Sequence, residues 1–197
     1  MSFLAITVSY VMGSIPFGFL VCKLWKGINI LEHGSGNIGF TNVLRTVGWL
    51  PALLVLVGDI AKGAAAAWVG IRTGGETVGI LCGTAALFGH SFSVFLRFRG
   101  GKLVATGLGV LLVLATNFAL TAAFIWLSTL AVTRYVSLAS ILAAIGMFPA
   151  MLIFDLSTGM QVFLSLAALF IIYRHRSNIR KLHSGQEYKI GQKADHK

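Results

Sequence analysis

LVATGLGVLLVLATNFALTAAFIWLSTLAV, Leu103 to Val132, runs for 30 residues without a charged side chain. A helix crosses the hydrocarbon core in roughly 20 residues. The run is therefore either one long tilted span or two short ones meeting at its polar pair, Thr116 and Asn117. Further apolar runs cover Met1 to Cys22, Leu50 to Gly70, Thr77 to Leu96, Leu138 to Phe154 and Met160 to Tyr173. Counting the long run once gives six spans and leaves the basic segment YRHRSNIRK outside, against the positive-inside tendency. Counting it twice gives seven. Lys23, Lys26, Arg45, Arg97, Arg99, Lys102, Arg134 and the seven basic residues from Arg174 onward then share the cytoplasmic face, 14 of the chain's 16. Arg72 alone falls outside, and Lys62 lies within a span. The sequence thus predicts an all-α integral membrane protein of seven transmembrane helices, N-terminus outside and C-terminus cytoplasmic. Each half of the long run is short for a bilayer and must extend into the interface or thin it locally.

Composition agrees with that class. Of the 197 residues 56% are hydrophobic and 11% charged, against about 25% charged in soluble domains. The net charge of +10 sits in short clusters between apolar runs, where topogenic charges belong, so a nucleic-acid partner is not expected. Cys22 and Cys82 lie far apart in apolar runs and suggest buried small hydrophobes, neither a disulfide framework nor a metal pair. The first run has no basic residue before Lys23 and no small-residue cleavage site, and reads as a retained span. Residues 1–197 form a single transmembrane domain, with a polar tail expected to be mobile over 188–197.

Seven spans gather three unusual polar stretches on the cytoplasmic face: a loop at 33–45, a loop at 89–102 and a tail segment at 174–187. In the first, HGSGNIGFTNVLR, glycines 34, 36 and 39 allow successive N–H groups to converge into an anion-binding nest. Ser35, Asn37, Thr41 and Asn42 add donors, and Arg45 follows Thr41 by one helical turn on the same face. In the second, Arg99-Gly100-Gly101-Lys102 puts two cations around a flexible pair suited to a phosphate. His90, in the last turns of a span, is an ionisable group at membrane depth and a functional candidate by default. In the tail, His175 and Asn178 share a helical face. Asp59 and Lys62, three residues apart within a span, are expected to neutralise each other structurally.

GSGNIGFTNVLR, GHSFSVFLRFRGGKLVATGLG and RHRSNIRKLHSGQE resemble the three cytoplasmic signature motifs of the bacterial acyl-phosphate:glycerol-3-phosphate acyltransferases, small seven-span enzymes of phospholipid synthesis. GSIPFG from Gly13, GDIAKG from Gly58 and TRYVSLASI from Thr133 are similar to further family segments. The resemblance implies transfer of a fatty acyl group from acyl phosphate to the sn-1 hydroxyl of glycerol 3-phosphate, giving lysophosphatidic acid and phosphate. It implies no added cofactor or metal, a site facing the cytoplasm from the bacterial inner membrane, and action as a monomer. The chain departs from the family pattern at Asn29, Leu31, Phe40, Arg99 and Leu103; Phe40 and Leu103 put larger groups into loops expected to hug the substrate.

Both substrates carry phosphate, which the nest, Arg45 and Lys102 are suited to bind while stabilising transition-state charge. The candidate catalytic residues are Ser35, Arg45, Lys102 and His90. Candidate substrate contacts are Gly34, Gly36, Asn37, Thr41, Asn42, Gly100, Gly101, His175, Asn178 and Glu187. No histidine is followed five positions later by aspartate, as soluble-type glycerolipid acyltransferases require, and neither cysteine has a neighbouring base for a thioester relay. Direct attack on the activated donor, with a substrate phosphate as proton acceptor, is the expected mechanism. A phosphate or organophosphate transporter is the alternative. It would place polar groups near the bilayer midplane, where only Asp59 and Lys62 are charged.

Overall fold

The structure, a computed structural model, describes residues 1–192. It is helical throughout, with one isolated β-bridge, Ser93–Arg99, among the described residues. The first apolar run forms α1 (Ser2–Ser14) and α2 (Phe17–Lys26), broken at Pro16, which has no N–H to continue the ladder. The break frees two carbonyls that other elements satisfy. Ser14 O accepts from Ser93 Oγ at 2.6 Å, and Ile15 O accepts from Lys62 Nζ at 2.8 Å. Lys62 also pairs with Asp59 at 2.8 Å, both buried. The pair is structural, as its spacing suggested, and it additionally ties its own helix to the kink.

After the short helix α3 (Phe40–Thr46), α4 extends from Trp49 to Ser91, 43 residues. At 1.5 Å per residue a straight helix of that length would be about twice the bilayer core. It is not straight. Gly74 (φ −166°, ψ 31°) and Gly75 (φ 71°, ψ −160°) interrupt it, and the two arms fold back until Gly70 lies against the backbone of Gly79 and Val78, an approach only glycine permits. Small residues also let α1 pack backbone to backbone on the second arm, Gly13 against Ala86.

The 30-residue apolar run breaks at Ala115 (φ −154°, ψ 71°) into α5 (Val104–Leu114) and α6 (Thr116–Thr133). The break falls beside the polar pair that suggested it. Arg134, in the left-handed region (φ 63°), turns the chain into α7 (Val136–Ala150), and Trp126 Nε1 on α6 donates to Ser140 Oγ on α7 at 3.1 Å. Ser157 caps α8 (Thr158–Arg174) by accepting from Met160 N. A bend at His175 then starts the exposed, basic α9 (Arg176–His183). Three helical segments, Ser2–Lys26, Trp49–Ser91 and Thr116–Thr133, are long and apolar enough to cross a membrane; Val104–Leu114, Val136–Ala150 and Thr158–Arg174 are apolar but shorter. Trp68, Phe124, Leu127, Leu166 and Leu169 point outward from these segments, as lipid-facing side chains do.

One boundary differs from the sequence reading. The third apolar run was expected to continue as a span to Leu96, but the helix ends at Ser91 and residues 92–103 fold back in a compact loop. Tyr10 Oη donates to the Phe92 carbonyl at 2.8 Å, and the Ser93 hydroxyl is drawn to α1. Within the tail expected to be mobile over 188–197, the described residues make contacts as far as Ile190. Ile190 N donates to Arg134 O at 2.8 Å, and Lys189 Nζ lies 5.5 Å from the Tyr135 ring. The remainder of that expected mobile segment, 193–197, lies outside the described residues.

Candidate active site

The loop at 33–45 is organised by Asn42, which turns inward and is buried. Its amide nitrogen donates to the carbonyls of His33 (3.0 Å) and Asn37 (2.8 Å), and its oxygen accepts from Ser35 N (2.9 Å). Gly36 N donates to His33 O at 3.0 Å, and Gly39 N to the Asn37 side chain at 2.9 Å. Gly34 (φ 59°) and Gly36 (φ 69°) occupy the left-handed region that such a tight loop requires. The N–H groups of Ser35 and Gly36, expected to face an anion, are thus spent inside the loop. The Asn42 amide is used up inside the loop, and Asn37 gives its side-chain oxygen to Gly39 N. The Ser35 side chain remains exposed at the tip, Thr41 is half-buried in the first turn of α3, and Arg45 follows one turn later.

Arg45 is where this loop meets the rest of the site. Its Nη2 donates to Tyr188 O at 2.9 Å, and its guanidinium lies 5.4 Å from the Tyr188 ring. Burial lowers its pKa, with Glu187 and Tyr188 opposing that shift.

In the second loop Gly101 N donates to His90 O at 2.9 Å, and Gly101 lies flat on the His90 imidazole, where a Cβ would collide. Lys102 leaves this turn and its Nζ donates to Asn178 Oδ1 at 2.5 Å. Asn178 Nδ2 donates to Glu187 Oε1 at 2.9 Å, and Ser137 Oγ donates to the same oxygen at 2.9 Å. Burial brings Lys102 down to about 8; Lys181, Arg174 and Arg45 act in the same direction and Glu187 against it. His175 Nδ1 contacts Ile171 O at 2.8 Å. A carbonyl only accepts, so the proton is on Nδ1 and the Nε2 lone pair is free. Burial, with Lys102 next in weight, brings His175 down to about 4, so its ring is neutral near pH 7.

The structure therefore brings Arg45, Lys102, His175, Asn178 and Glu187 together from all three stretches. One candidate stands apart from that group. His90 is buried beneath Gly101 with Nδ1 3.6 Å from Asp59, inside the bundle. Glu187, grouped with the substrate contacts, directs its carboxylate at Ser137 and Asn178, and a carboxylate would repel a phosphate. Gly100 and Gly101 serve by close packing on His90 and Ser91. Ser137, Tyr188 and Arg174 join the cluster without having been singled out. A serine in an apolar helix, a tyrosine in a polar tail and an arginine at a span end carry no local signal of such contacts. Of the two enlarged residues, Phe40 packs edge-on against Trp49 at 6.0 Å. Leu103 takes a left-handed φ of 69° with its side chain buried in the main core.

A half-buried ammonium, a guanidinium and a neutral imidazole, braced by an amide–carboxylate pair, have the chemistry to hold an anion that also carries hydroxyls. Set at one end of an apolar helical bundle, they define a membrane-integral protein built to handle a phosphorylated small molecule. The glycerol-3-phosphate acyltransferase family matches residues 3–185. A glycerol-3-phosphate acyltransferase of Carboxydothermus hydrogenoformans is 41% identical over 97% of both chains, and one of Desulforudis audaxviator is 48% identical over 93% of both. The crystal structure of PlsY, an integral membrane glycerol 3-phosphate acyltransferase, in its glycerol 3-phosphate form superposes with a TM-score of 0.92 at 37% identity over 96% of each chain. The lysophosphatidic acid form gives 0.87 at 36% identity over 96% of this chain and 95% of that one. The chain belongs to the glycerol-3-phosphate acyltransferase family.

Proposed function

We propose that this protein transfers a fatty acyl group from acyl phosphate to the sn-1 hydroxyl of glycerol 3-phosphate, releasing lysophosphatidic acid and phosphate. The observation that carries the reading is the chain Lys102–Asn178–Glu187–Ser137, with Arg45 and His175 beside it. Lys102 and Arg45 hold substrate phosphate and stabilise the negative charge that grows as the acyl carbonyl is attacked. Asn178, oriented by Glu187, accepts or donates hydrogen bonds to the glycerol hydroxyls, and the Nε2 lone pair of His175 accepts one. A histidine brought down to about 4 is a weak base at neutral pH, so the hydroxyl proton passes to a substrate phosphate. The glycerol oxygen forms the new ester bond, the carbonyl carbon–phosphate oxygen bond breaks, and phosphate leaves with that proton. No cofactor is needed, and a monomer contains every group named. Ser35 contributes its exposed hydroxyl at the rim.

The proposal includes seven crossings, with the site on the cytoplasmic face of the bacterial inner membrane. The turn at Gly74–Gly75 and the break at Ala115 support that count, and the clustering of basic residues supports the orientation. The donor's acyl chain then lies among the spans while its phosphate reaches Lys102. A transporter reading is less well supported, since Asp59 and Lys62 are engaged with each other and Lys62 also donates to Ile15 O. The test compares donors: purified protein with labelled glycerol 3-phosphate should form product with acyl phosphate and little with acyl-CoA, and acid quenching should trap no acyl-protein. Robust use of acyl-CoA, or a trapped acyl-protein, would refute direct attack.

A further inference from the structure

The turn Gly100–Gly101 is held from two sides. On one side it rests on His90 and Ser91 through the Gly101 N–H bond to His90 O (2.9 Å) and close backbone packing. On the other, Arg174, the last residue of α8, donates through Nη2 to the carbonyls of Gly100 (3.0 Å) and Gly101 (2.9 Å). Its guanidinium lies 5.7 Å from the Phe92 ring. Phe92 stacks with Phe88 (6.1 Å) and Phe170 (6.0 Å), so the guanidinium rests on a fixed aromatic platform. A charge that only marks topology needs no defined partner, whereas this one has two carbonyls and a ring.

A trans peptide points its C=O and N–H in opposite directions. Pinning the Gly101 carbonyl therefore sets the plane of the Gly101–Lys102 peptide and the direction in which the Lys102 side chain leaves the loop. Without the clamp, two adjacent glycines have wide conformational freedom, and Lys102, on a long flexible stem, has many positions other than the one beside Asn178. We infer that Arg174 is a positioning residue for the reaction, clamping the Gly100–Gly101 turn so that Lys102 meets the substrate phosphate. It does so without touching substrate. The inference rests on the role given to Lys102 under the proposed function. Lysine is a partial substitute, because both bonds come from the single nitrogen Nη2, which an ammonium can replace, whereas the planar guanidinium face set over the Phe92 ring has no counterpart in lysine.

The test is a double-variant cycle on purified full-length protein. Arg174→Gln should lower kcat on the order of 100-fold, the scale of a misplaced catalytic group, and change KM for glycerol 3-phosphate by less than about threefold. Added to Lys102→Ala, which is itself strongly impaired, the same change should cost less than about twofold, because its effect passes through Lys102. Arg174→Lys should recover part of the lost kcat. Melting temperatures identify any variant that fails to fold, and Arg174→Lys then carries the cycle under the same criteria. Equal losses in both backgrounds, or near-native kcat in Arg174→Gln, overturn the proposal. Near-native activity of Lys102→Ala alone refutes the role of Lys102, and this inference with it.

Discussion

Lys102 should set the alkaline side of the pH–rate profile. Its ammonium is brought down from 10.5 to about 8, chiefly by burial. A lowered amine pKa means that the charge is present below that value and lost above it, and a phosphate site needs the charged form. If kcat/KM follows the protonated fraction of the free enzyme, it falls to about one-tenth of its plateau one pH unit above the pKa, and tenfold for each unit beyond. His175, brought down to about 4, stays neutral over this range and adds no limb near neutrality. The assay is initial-rate formation of lysophosphatidic acid from labelled glycerol 3-phosphate between about pH 6.5 and about pH 9.5, corrected for chemical hydrolysis of the donor. Two variants fix the assignment. Arginine does not titrate in proteins, so whatever activity Lys102→Arg keeps should lack the limb. Glu187→Gln removes a carboxylate that holds the Lys102 pKa up, so its limb should move to lower pH. A flat profile to the top of that range, or an unchanged limb in Lys102→Arg, would show that Lys102 does not carry the phosphate charge.

Asp59→Asn should lower thermal stability by about 3–5 kcal/mol, the cost of stripping a buried charge of its partner, while activity per folded molecule stays within about twofold; calorimetry in detergent with parallel rates checks both. Gly101→Ala would press a methyl group into the His90 ring and should reduce turnover sharply by displacing the Lys102 loop, whereas Gly27→Ala, whose Cβ would meet nothing within 4 Å, should leave turnover near native. In a cysteine-free background, Asn117→Cys should react with an impermeant thiol reagent added outside intact cells and Ser184→Cys should not; labelling of Ser184→Cys from outside would invert the orientation.

The apolar runs and the break before Thr116 were legible because each rests on local chemistry: hydropathy and a polar pair within an uncharged stretch. The identity of the three polar stretches was legible for the same reason. Less legible was what each side chain does once folded. Asn42 and Asn37 read as donors toward a phosphate, yet an amide that can satisfy three backbone groups of its own loop is worth more there than facing water. The inward turn of Glu187 and the links Arg45–Tyr188 and Lys102–Asn178 join residues 143 and 76 positions apart, and no periodicity in one sequence reports such pairings. The early end of the third apolar run follows from the Pro16 kink, whose freed carbonyl draws Ser93 across from another segment. Lys62 was recognised as the partner of Asp59, but its second bond, to Ile15 O, has the same non-local origin.

The cationic cluster is proposed to perform chemistry on glycerol 3-phosphate. The most direct test is purified protein in vesicles, supplied with acyl phosphate and labelled glycerol 3-phosphate on the side that exposes residues 174–187. The account predicts that label enters lysophosphatidic acid with release of one phosphate per product, that this requires Lys102 and Arg45, and that no label crosses the bilayer. Movement of unchanged glycerol 3-phosphate into the vesicles without product would contradict it.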